Sequence, residues 1–454
     1  MNNQRSLDLP DISHLAHADH QPDHVVRRRQ LAQIVGERGV AIIAATPERN
    51  RNNDVDYPYR PNSDFRYLTG FSEPEAIAVI APGFDKGDYL LFCRERDAEA
   101  ETWVGRRAGL EGAMAWYDAD HAVAIDDFSA WLPRLLDGRE RLYLTLGQHQ
   151  SFEHGVLQAL ERLRSQGRRG TPPEQIVALD KIVHEMRLRK SDAEIALMRQ
   201  AAATSARAHV AAMQAAAPGV AEYQLAAVLH FAFEAEGMTW AYPSIVGAGE
   251  NGCVLHYIEN AARIADGDLV LIDAGAEYRG YAGDITRTFP ANGRFSAAQR
   301  RVYDIVLAAN RAGIAAARAG APANAPHQAA LRVLVDGMIA LGWCEGSVDE
   351  VIESESYRPF FMHGTSHWLG MDVHDVGDYK SDDEWRPLEP GMVLTVEPGL
   401  YVRAGNERVA REYWNIGIRV EDDVVITAEG SEVLTAGVPK DPDAIEALMA
   451  GHSA

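Results

Sequence analysis

The sequence predicts an α/β domain followed by an α+β domain. Three observations support this reading. First, 454 residues are more than one hydrophobic core usually serves. Second, short apolar runs alternate with helical patterns up to about residue 165, whereas long helices and strands that end in acids follow. Third, the stretch SQGRRGTPPE is rich in Gly and Pro and marks a boundary. We therefore expect a polar extension over 1–24, an α/β domain over 25–174 and a second domain over 175–454.

In the first domain, the segment 24–45 reads as a helix followed by the apolar strand VAIIAA. Two further apolar runs, EAIAVIAPG and DYLLFCR, each end at a turn signal and predict strands. The segments FSAWLPRLLDG and SFEHGVLQALERLRSQG have the apolar spacing of amphipathic helices. Strands and helices thus alternate, as in an α/β domain.

In the second domain, Ser191 and Glu194 form a capping-box pattern that predicts the start of a long helix. We expect this helix to stop at Pro218-Gly219, a second to cover AEYQLAAVLHFAFEAEG and a third to start near Ser296. Strands are predicted at DLVLIDAG, GDITRTF, MVLTVEPG and IGIRVEDDVVIT. This order indicates helices packed on a curved, mostly antiparallel sheet.

Charge and cysteine content restrict the partners and the compartment. The formal net charge of −22 argues against nucleic acid or an anionic membrane surface as the main partner and suits a protein that gathers divalent cations. The three cysteines lie far apart and form no disulfide framework, which predicts a reducing cytoplasm. We also expect neither a signal peptide nor a membrane-spanning segment.

Four acids stand on, or at the ends of, apolar strands of the second domain: Asp273, Asp284, Glu397 and Glu421. Asp273 and Asp284 flank the Gly-rich sequence AGAEYRGYAG, whose midpoint lies between Tyr278 and Arg279. If a hairpin turns there, the two carboxylates face each other directly across the strands. Two ionised carboxylates that close repel each other unless one is protonated or a cation lies between them.

With one histidine, these acids form a set of oxygen and nitrogen donors without sulfur. Such a set suits manganese, cobalt or zinc. Five donors, several of them able to bridge, are also typical of two metal ions that together support hydrolysis.

The stretch FMHGTSHWLGMDVHD supplies three candidate histidines: His363, His367 and His374. The first two are four residues apart, as in the H-E-x-x-H helix of zinc proteases. However, Gly364 replaces the glutamate and Gly370 follows, so we expect no such helix.

Six segments together resemble the aminopeptidase P branch of the "pita-bread" metallopeptidases, a group that includes prolidase and methionine aminopeptidase. They extend over nearly the whole chain after about residue 25 and read YRPNSDFRYLTGF, VGAGENGCVLHYIEN, LVLIDAGAEYRGYAGDITRTFP, FFMHGTSHWLGMDVHDVG, LEPGMVLTVEPGLY and IGIRVEDDVVIT. The resemblance implies an N-terminal α/β domain and a C-terminal pita-bread domain, often assembled as a tetramer, with a dimer as the other expectation.

The resemblance also implies roles for individual residues. The ligands of two divalent metal ions, usually manganese, with zinc or cobalt as alternatives, would be Asp273, Asp284, His367, Glu397 and Glu421. Glu397 would also be the general base toward the bridging water, and the hydroxide so formed attacks the carbonyl before proline. The catalytic set would further contain His256, His363, His374 and Arg419. Asp64, Trp103 and Tyr401 would contact substrate, Asp64 across a subunit interface.

The activity that the resemblance implies is removal of the N-terminal residue from peptides with proline in second position. One alternative is prolidase, which cleaves only Xaa-Pro dipeptides. Another is a non-catalytic pita-bread binding module, although such modules, like the related creatine amidinohydrolases, lack the metal ligands that this chain has. The sequence departs from the family at the leading extension and at Arg66 and Ile258, positions where an aromatic residue and a threonine are expected.

Overall fold

The structure is a computed structural model that describes residues 23–451. The predicted extension over 1–24 lies outside the described residues except for Asp23 and His24, which begin the first helix. The chain forms two compact units, an N-terminal unit that ends at Arg187 and a C-terminal unit that begins at Leu188. Among the described residues, no helix combines the length and the apolar character needed to cross a lipid bilayer.

The N-terminal unit contains seven α-helices and eight strands among the described residues. The helices are α1 Asp23–Val35, α2 Ser63–Thr69, α3 Ala98–Val104, α4 Gly109–Tyr117, α5 Phe128–Leu136, α6 Gln150–Ser165 and α7 Leu179–Leu188, whose last residue already belongs to the C-terminal unit. The strands are β1 Gly39–Ala44, β2 Asn50–Asn52, β3 Val55–Asp56, β4 Ile77–Ile80, β5 Tyr89–Cys93, β6 His121–Ala124, β7 Arg141–Tyr143 and β8 Gln175–Val177.

Six of these strands form one mixed sheet in the order β6-β5-β4-β1-β7-β8. Its central strands are apolar and buried, as the runs VAIIAA and DYLLFC predict, and they pack against Leu132 and Leu135 of α5 and Leu160 of α6. The Gly- and Pro-rich stretch 165–174, predicted as the domain boundary, lies inside this unit. It connects α6 to β8, which extends the sheet by pairing in parallel with β7, so the two units part at Arg187 and Leu188 instead.

The C-terminal unit contains six further α-helices and thirteen strands among the described residues. The helices are α8 Asp192–Ala215, α9 Glu222–Glu234, α10 Ala297–Ala316, α11 Ala325–Ala340, α12 Val348–Glu353 and α13 Pro442–Ala450. The strands are β9 Thr239–Trp240, β10 Ile245–Ala248, β11 Leu269–Asp273, β12 Ala276–Tyr278, β13 Tyr281–Ala282, β14 Thr286–Pro290, β15 Lys380–Ser381, β16 Glu384–Trp385, β17 Val393–Val396, β18 Gly399–Val402, β19 Ile416–Arg419, β20 Asp422–Thr427 and β21 Gly430–Val433.

Helix starts in this unit agree with the capping patterns of the sequence. Ser191 caps α8 and Ser296 caps α10, each with a reciprocal hydrogen bond from the third helical residue. Helix α11 was not predicted. Its Pro326 and Gly337 are residue types that usually mark loops, but a proline in the first turn costs the helix no hydrogen bond.

All strand pairs of the C-terminal unit are antiparallel. Three of the sheets place the chemistry-bearing residues. Strands β10, β11 and β14 form one sheet, β17 pairs with β20, and β18 pairs with β19. The predicted acids therefore stand at strand ends on three separate sheets, and only the packing of these sheets can bring them together.

Candidate metal centre

A cavity of about 650 Å³ in the C-terminal unit collects most of the predicted site residues. Nine of them line it: His256, Asp273, Asp284, His363, His367, His374, Glu397, Arg419 and Glu421. Its size is in the range of small-ligand sites. The cavity also has apolar walls, formed by Ile245, Leu255, Ile258 and Val373.

The hairpin that carries Asp273 and Asp284 turns one position later than predicted. Its turn residues are Arg279 and Gly280, both with positive φ (51° and 87°), which gives the tight two-residue turn typical of hairpins. Asp273 therefore pairs with Thr286, and the prediction that it faces Asp284 directly was wrong. Asp284 is its diagonal neighbour, two residues along the strand, which still allows the two side chains to meet.

Tyr242, which the sequence analysis did not select, joins these two acids. Its hydroxyl oxygen lies 2.6 Å from Oδ1 of Asp273 and 2.5 Å from Oδ1 of Asp284. A phenol carries one proton and can donate it to only one carboxylate at a time. The second close oxygen pair must then be relieved by a proton on one acid or by a cation.

The end of β17 places Glu397 beside the histidine segment. The backbone N–H of Thr395 donates to the carbonyl of His367 at 3.0 Å, and that of Glu397 donates to the carbonyl of Thr365 at 2.8 Å. These bonds fix the segment 363–368 along the strand without any helix, as the glycines predict. His367 Nε2 consequently lies 3.5 Å from Oδ2 of Asp284 and 3.6 Å from Oε1 of Glu397.

The state of the His367 ring suits a metal ligand. Its Nδ1 lies 3.0 Å from the carbonyl oxygen of Trp368, and because a carbonyl only accepts, Nδ1 carries the proton. Burial lowers the pKa of His367 to about 4, so the ring is neutral near pH 7. The lone pair of Nε2 is therefore directed at the acids, the arrangement found when a second hydrogen bond sets a ligand's tautomer.

His363 belongs to a chain of hydrogen bonds that reaches Asp273. Its Nδ1 donates to the carbonyl of Gly364 at 2.6 Å, so Nε2 accepts from the Tyr401 hydroxyl at 2.8 Å. The Tyr401 oxygen in turn accepts from Nη1 of Arg419 at 3.0 Å. Burial and the nearby Arg419 charge lower the pKa of His363 to about 3, which keeps this ring neutral as well.

Arg419 is buried and has three partners. Its Nη2 lies 2.5 Å from Oδ2 of Asp273, and its Nε donates to the hydroxyl of Thr286 at 3.0 Å. Asp273 is thus the acid with which Arg419 forms an ion pair. Thr286 links Arg419 to Glu421, because its hydroxyl also donates to Oε2 of Glu421 at 2.6 Å.

The electrostatic state of the acids follows from burial and mutual repulsion. Burial and the neighbouring Asp273 carboxylate raise the pKa of Asp284 far above its usual range. Burial also raises the pKa of Glu397, and the negative charge of Glu421 raises it further. In the same way, burial and the negative charge of Asp284 raise the pKa of Glu421. Carboxylates held this close cannot all ionise unless positive charge is added.

These residues fit divalent metal ions. Asp284, His367 and Glu421 each offer a donor atom, and these atoms lie within 4.8 Å of one another. The donors are carboxylate oxygens and an imidazole nitrogen, which suit manganese, cobalt and zinc. A cation bound among these donors would also relieve the repulsion between the two carboxylates that share the Tyr242 hydroxyl.

Comparison with known proteins identifies the family. A model described as Metallopeptidase family M24 matches residues 196–428, and a model described as Aminopeptidase P, N-terminal domain matches residues 24–143. The chain belongs to metallopeptidase family M24. Divalent metal ions are therefore its expected cofactors, and the predicted combination of an α/β domain with a pita-bread domain is confirmed.

Relatives in this M24 family match along almost the full chain. The Xaa-Pro aminopeptidase of Escherichia coli K12 is 48% identical over 93% of this chain and 96% of its own length. The Xaa-Pro aminopeptidase of Haemophilus influenzae is 40% identical over 93% of this chain and 96% of its own length. These enzymes favour the predicted exopeptidase over the prolidase alternative and over a non-catalytic module.

Solved structures of M24 peptidases agree. The aminopeptidase PepP of Pseudomonas aeruginosa superposes with a TM-score of 0.93 at 50% identity, over 95% of this chain and 98% of that one. A substrate complex of an Escherichia coli aminopeptidase P variant superposes with a TM-score of 0.91 at 47% identity, over 94% of this chain and 98% of that one. Zinc-substituted aminopeptidase P of Escherichia coli, in complex with product, is another match, with a TM-score of 0.92.

The two substrate residues predicted in the N-terminal unit are not among the residues that line this cavity. Asp64 is buried within its own unit, where its carboxylate is 2.7 Å from Nη1 of Arg187 and 3.1 Å from Nε2 of His184. Trp103 is 83% exposed on α3. Their contact with substrate stays a prediction.

Several residues that build the M24 site were missed. Tyr242, Thr286 and the buried pair of Arg287 with Asp422 (2.8 Å) all support the acids. Arg287 also donates to the carbonyl of Glu421 and so holds the segment that carries this acid. One signal was available in the sequence. Asp422, the second acid of the Glu-Asp-Asp sequence after IGIRV, needs a counter-charge if it is buried, and Arg287 is the only charged residue of the strand TRTFP.

Proposed function

We propose that this chain is an Xaa-Pro aminopeptidase, a metal-dependent exopeptidase that releases the first residue of peptides with proline in second position. The observation that carries the proposal is the cavity in which five oxygen and nitrogen donors meet three further histidines. Xaa-Pro aminopeptidases from two bacteria match the chain over nearly their whole length. We expect peptides rather than nucleic acid or membranes as partners.

Five residues would hold the metal ions: Asp273, Asp284, His367, Glu397 and Glu421. We propose manganese as the native ion, with zinc and cobalt as ions that the same donors accept. When bound, the ions polarise the scissile carbonyl and make a water molecule acidic enough to attack it near neutral pH. Their charge also allows the buried carboxylates to ionise together.

Glu397 would act as the general base. It lies at the end of β17, facing the cavity, and its carboxylate binds a proton more readily than an exposed glutamate because burial raises its pKa. It would take the proton of the attacking water and return it to the leaving nitrogen. The prolyl nitrogen needs this proton because it belongs to a tertiary amide without an N–H.

The histidines would bind and orient the peptide. His256 and His374 are exposed in the cavity and are free to hydrogen-bond the substrate backbone. His363 is held by Tyr401 and Gly364, which fixes its ring beside Glu397. The apolar wall of Leu255, Ile258 and Val373 would receive the pyrrolidine ring and the first side chain.

Compartment and assembly are further parts of the proposal. Cys93, Cys253 and Cys344 are buried and unpaired thiols, which suits a reducing cytoplasm. We propose a homo-oligomer, a tetramer or a dimer, in which the exposed Trp103 ring finds a partner surface. Light scattering of the purified protein tests this assembly.

Peptide cleavage by metal-stripped protein tests the activity. Chelated protein should be inactive, and manganese should restore release of arginine from Arg-Pro-Pro. Arg-Ala-Pro, which lacks proline in second position, is the matched control and should remain intact. Cleavage restricted to Xaa-Pro dipeptides would favour prolidase, and metal binding without cleavage of either peptide would favour a binding module.

A further inference from the structure

Glu222, the first residue of α9, is a carboxylate with no exposed surface. Each of its oxygens accepts two hydrogen bonds. Oε1 accepts from the backbone N–H of Ala248 at 2.8 Å and from Nδ2 of Asn251 at 3.0 Å. Oε2 accepts from the hydroxyl of Tyr257 at 2.9 Å and from the backbone N–H of Ala262 at 2.8 Å. All four donors are uncharged.

Such an arrangement needs a carboxylate. Burying a charge is costly unless its hydrogen bonds are satisfied, and here four neutral donors supply that compensation. Only an ionised carboxylate offers two oxygens that accept on both sides. A glutamine in this position would turn an NH₂ group toward one pair of donors and leave at least one buried N–H without an acceptor.

The four donors belong to a single segment, residues 248–262, which we call the His256 loop. Glu222 ties down both of its ends, through Ala248 and Ala262, and its middle, through Tyr257. Asn260 assists near the far end, because its side chain accepts from the N–H of Val246 and donates to the carbonyl of Ser244, each at 2.8 Å.

The middle of the His256 loop forms one wall of the catalytic cavity. Leu255, His256 and Ile258 all line the cavity and flank Tyr257 on both sides. Leu255 and Tyr257 also pack against the cluster that contains Tyr401. The tie from Tyr257 to Glu222 therefore sets where the three cavity-lining side chains stand.

We propose that Glu222 is a positioning residue that holds the His256 loop in its substrate-binding arrangement. The proposal rests on the proposed function, since it assigns the loop to peptide binding. Glu222 acts through the loop and belongs to neither the metal ligands nor the groups that touch substrate. Weakening its hydrogen bonds should release the loop and leave the metal centre intact.

A released loop has a distinct kinetic effect. If the binding-competent arrangement is populated only part of the time, the apparent affinity for substrate falls by that fraction. Bound substrate selects the competent arrangement again, so turnover at saturation is preserved. Glu222→Gln should raise KM for Arg-Pro-Pro about tenfold, as expected when a buried donor loses its acceptor, while kcat stays within about threefold.

Three variants and the wild type provide the test. Glu222→Gln removes part of the acceptor set, and Tyr257→Phe removes a single donor and should raise KM less, about threefold. Glu259→Gln is the matched control, because Glu259 is an exposed acid on the same loop. Kinetics with Arg-Pro-Pro are combined with manganese titration by calorimetry, and circular dichroism checks the fold.

The expected result is a raised KM for Glu222→Gln and Tyr257→Phe, with manganese affinity and kcat near those of the wild type and of Glu259→Gln. An unchanged KM in folded Glu222→Gln would overturn the proposal. If Glu222→Gln does not fold, Tyr257→Phe decides, and a wild-type KM in that variant overturns it equally. A wild type that cleaves neither tripeptide nor dipeptide would instead refute the proposed function.

Discussion

Arg419 donates from Nη2 to Oδ2 of Asp273 at 2.5 Å, deep in the C-terminal unit. The chain thus supplies one positive charge of its own to a group of four acids. The other charge that the acids need is left to metal ions, which explains why an arginine and a metal centre can share one cavity.

Replacing Arg419 should therefore harm the metal-free protein most. Arg419→Gln leaves Asp273 buried without its counter-charge, which should cost about 3–5 kcal/mol of unfolding free energy. Divalent metal should restore part of this loss. Urea unfolding with and without manganese measures both values, and Arg318→Gln, at an exposed arginine, is the control. An equal loss in both conditions would contradict the charge-balancing role.

Stability of the metal-free protein should depend on pH in a defined direction. The pKa values of Asp284, Glu397 and Glu421 are raised, so from about pH 4 upward the folded chain binds more protons than the unfolded chain. Their contribution to stability is then lost as the pH rises through the raised values. Metal binding removes these protons, so stabilisation by metal should grow with pH.

The pH range for this measurement follows from the histidines. The pKa values of His363 and His367 are lowered to about 3 and about 4. Below about pH 6.5 the unfolded chain therefore binds protons on these histidines that the folded chain does not bind, so their contribution to stability is lost as the pH falls. Thermal unfolding with chelator or with manganese should therefore be compared between pH 6.5 and 8.5. A metal-induced rise in Tm that shrinks over this range would show that the acids are ionised without metal.

The buried ion pair of Lys190 and Asp375 should be a major structural contact. Nζ lies 2.8 Å from Oδ2, and both side chains are 1% exposed. Lys190→Met removes the buried positive charge beside Asp375 and should cost about 3–5 kcal/mol. Lys190→Met with Asp375→Asn should recover much of that loss, as urea unfolding would measure. Since Asp375 directly follows His374, activity should decline with stability in the single variant.

Gly275 should tolerate no side chain. A Cβ there would lie 1.7 Å from the carbonyl oxygen of Gly283, on the facing strand of the hairpin that carries Asp273 and Asp284. Gly275→Ala should force these strands apart, destabilise the protein by about 1–3 kcal/mol or more and weaken manganese binding in calorimetry.

The matched control is Gly155→Ala. Gly155 lies in α6, and a Cβ added there would stand in open space, so alanine should stabilise the helix by about 0.5–1 kcal/mol. Normal manganese affinity in folded Gly275→Ala would refute the link between this close strand contact and the metal centre.

Much of the fold and of the site could be predicted because the evidence is local. Ser191 and Ser296 mark helix starts through side chains within one turn, and apolar strands that end in Asp273 or Glu397 stand out against buried neighbours. The predicted hairpin register was wrong by two residues, because moving the turn by one position shifts the strand partners by two. The backbone conformation of Arg279 and Gly280 selects this turn, and composition alone does not.

By itself, the sequence indicated the two-domain organisation, the candidate acid and histidine donors and the family. These are properties of residue types and of their spacing along the chain, so they can be read before the chain folds. Only the tertiary structure decided that Arg419 pairs with Asp273, that Tyr242 joins Asp273 and Asp284, and that Glu222 holds the His256 loop. Each of these contacts links segments more than fifteen residues apart, and their meeting depends on how helices and separate sheets pack, which no local pattern records.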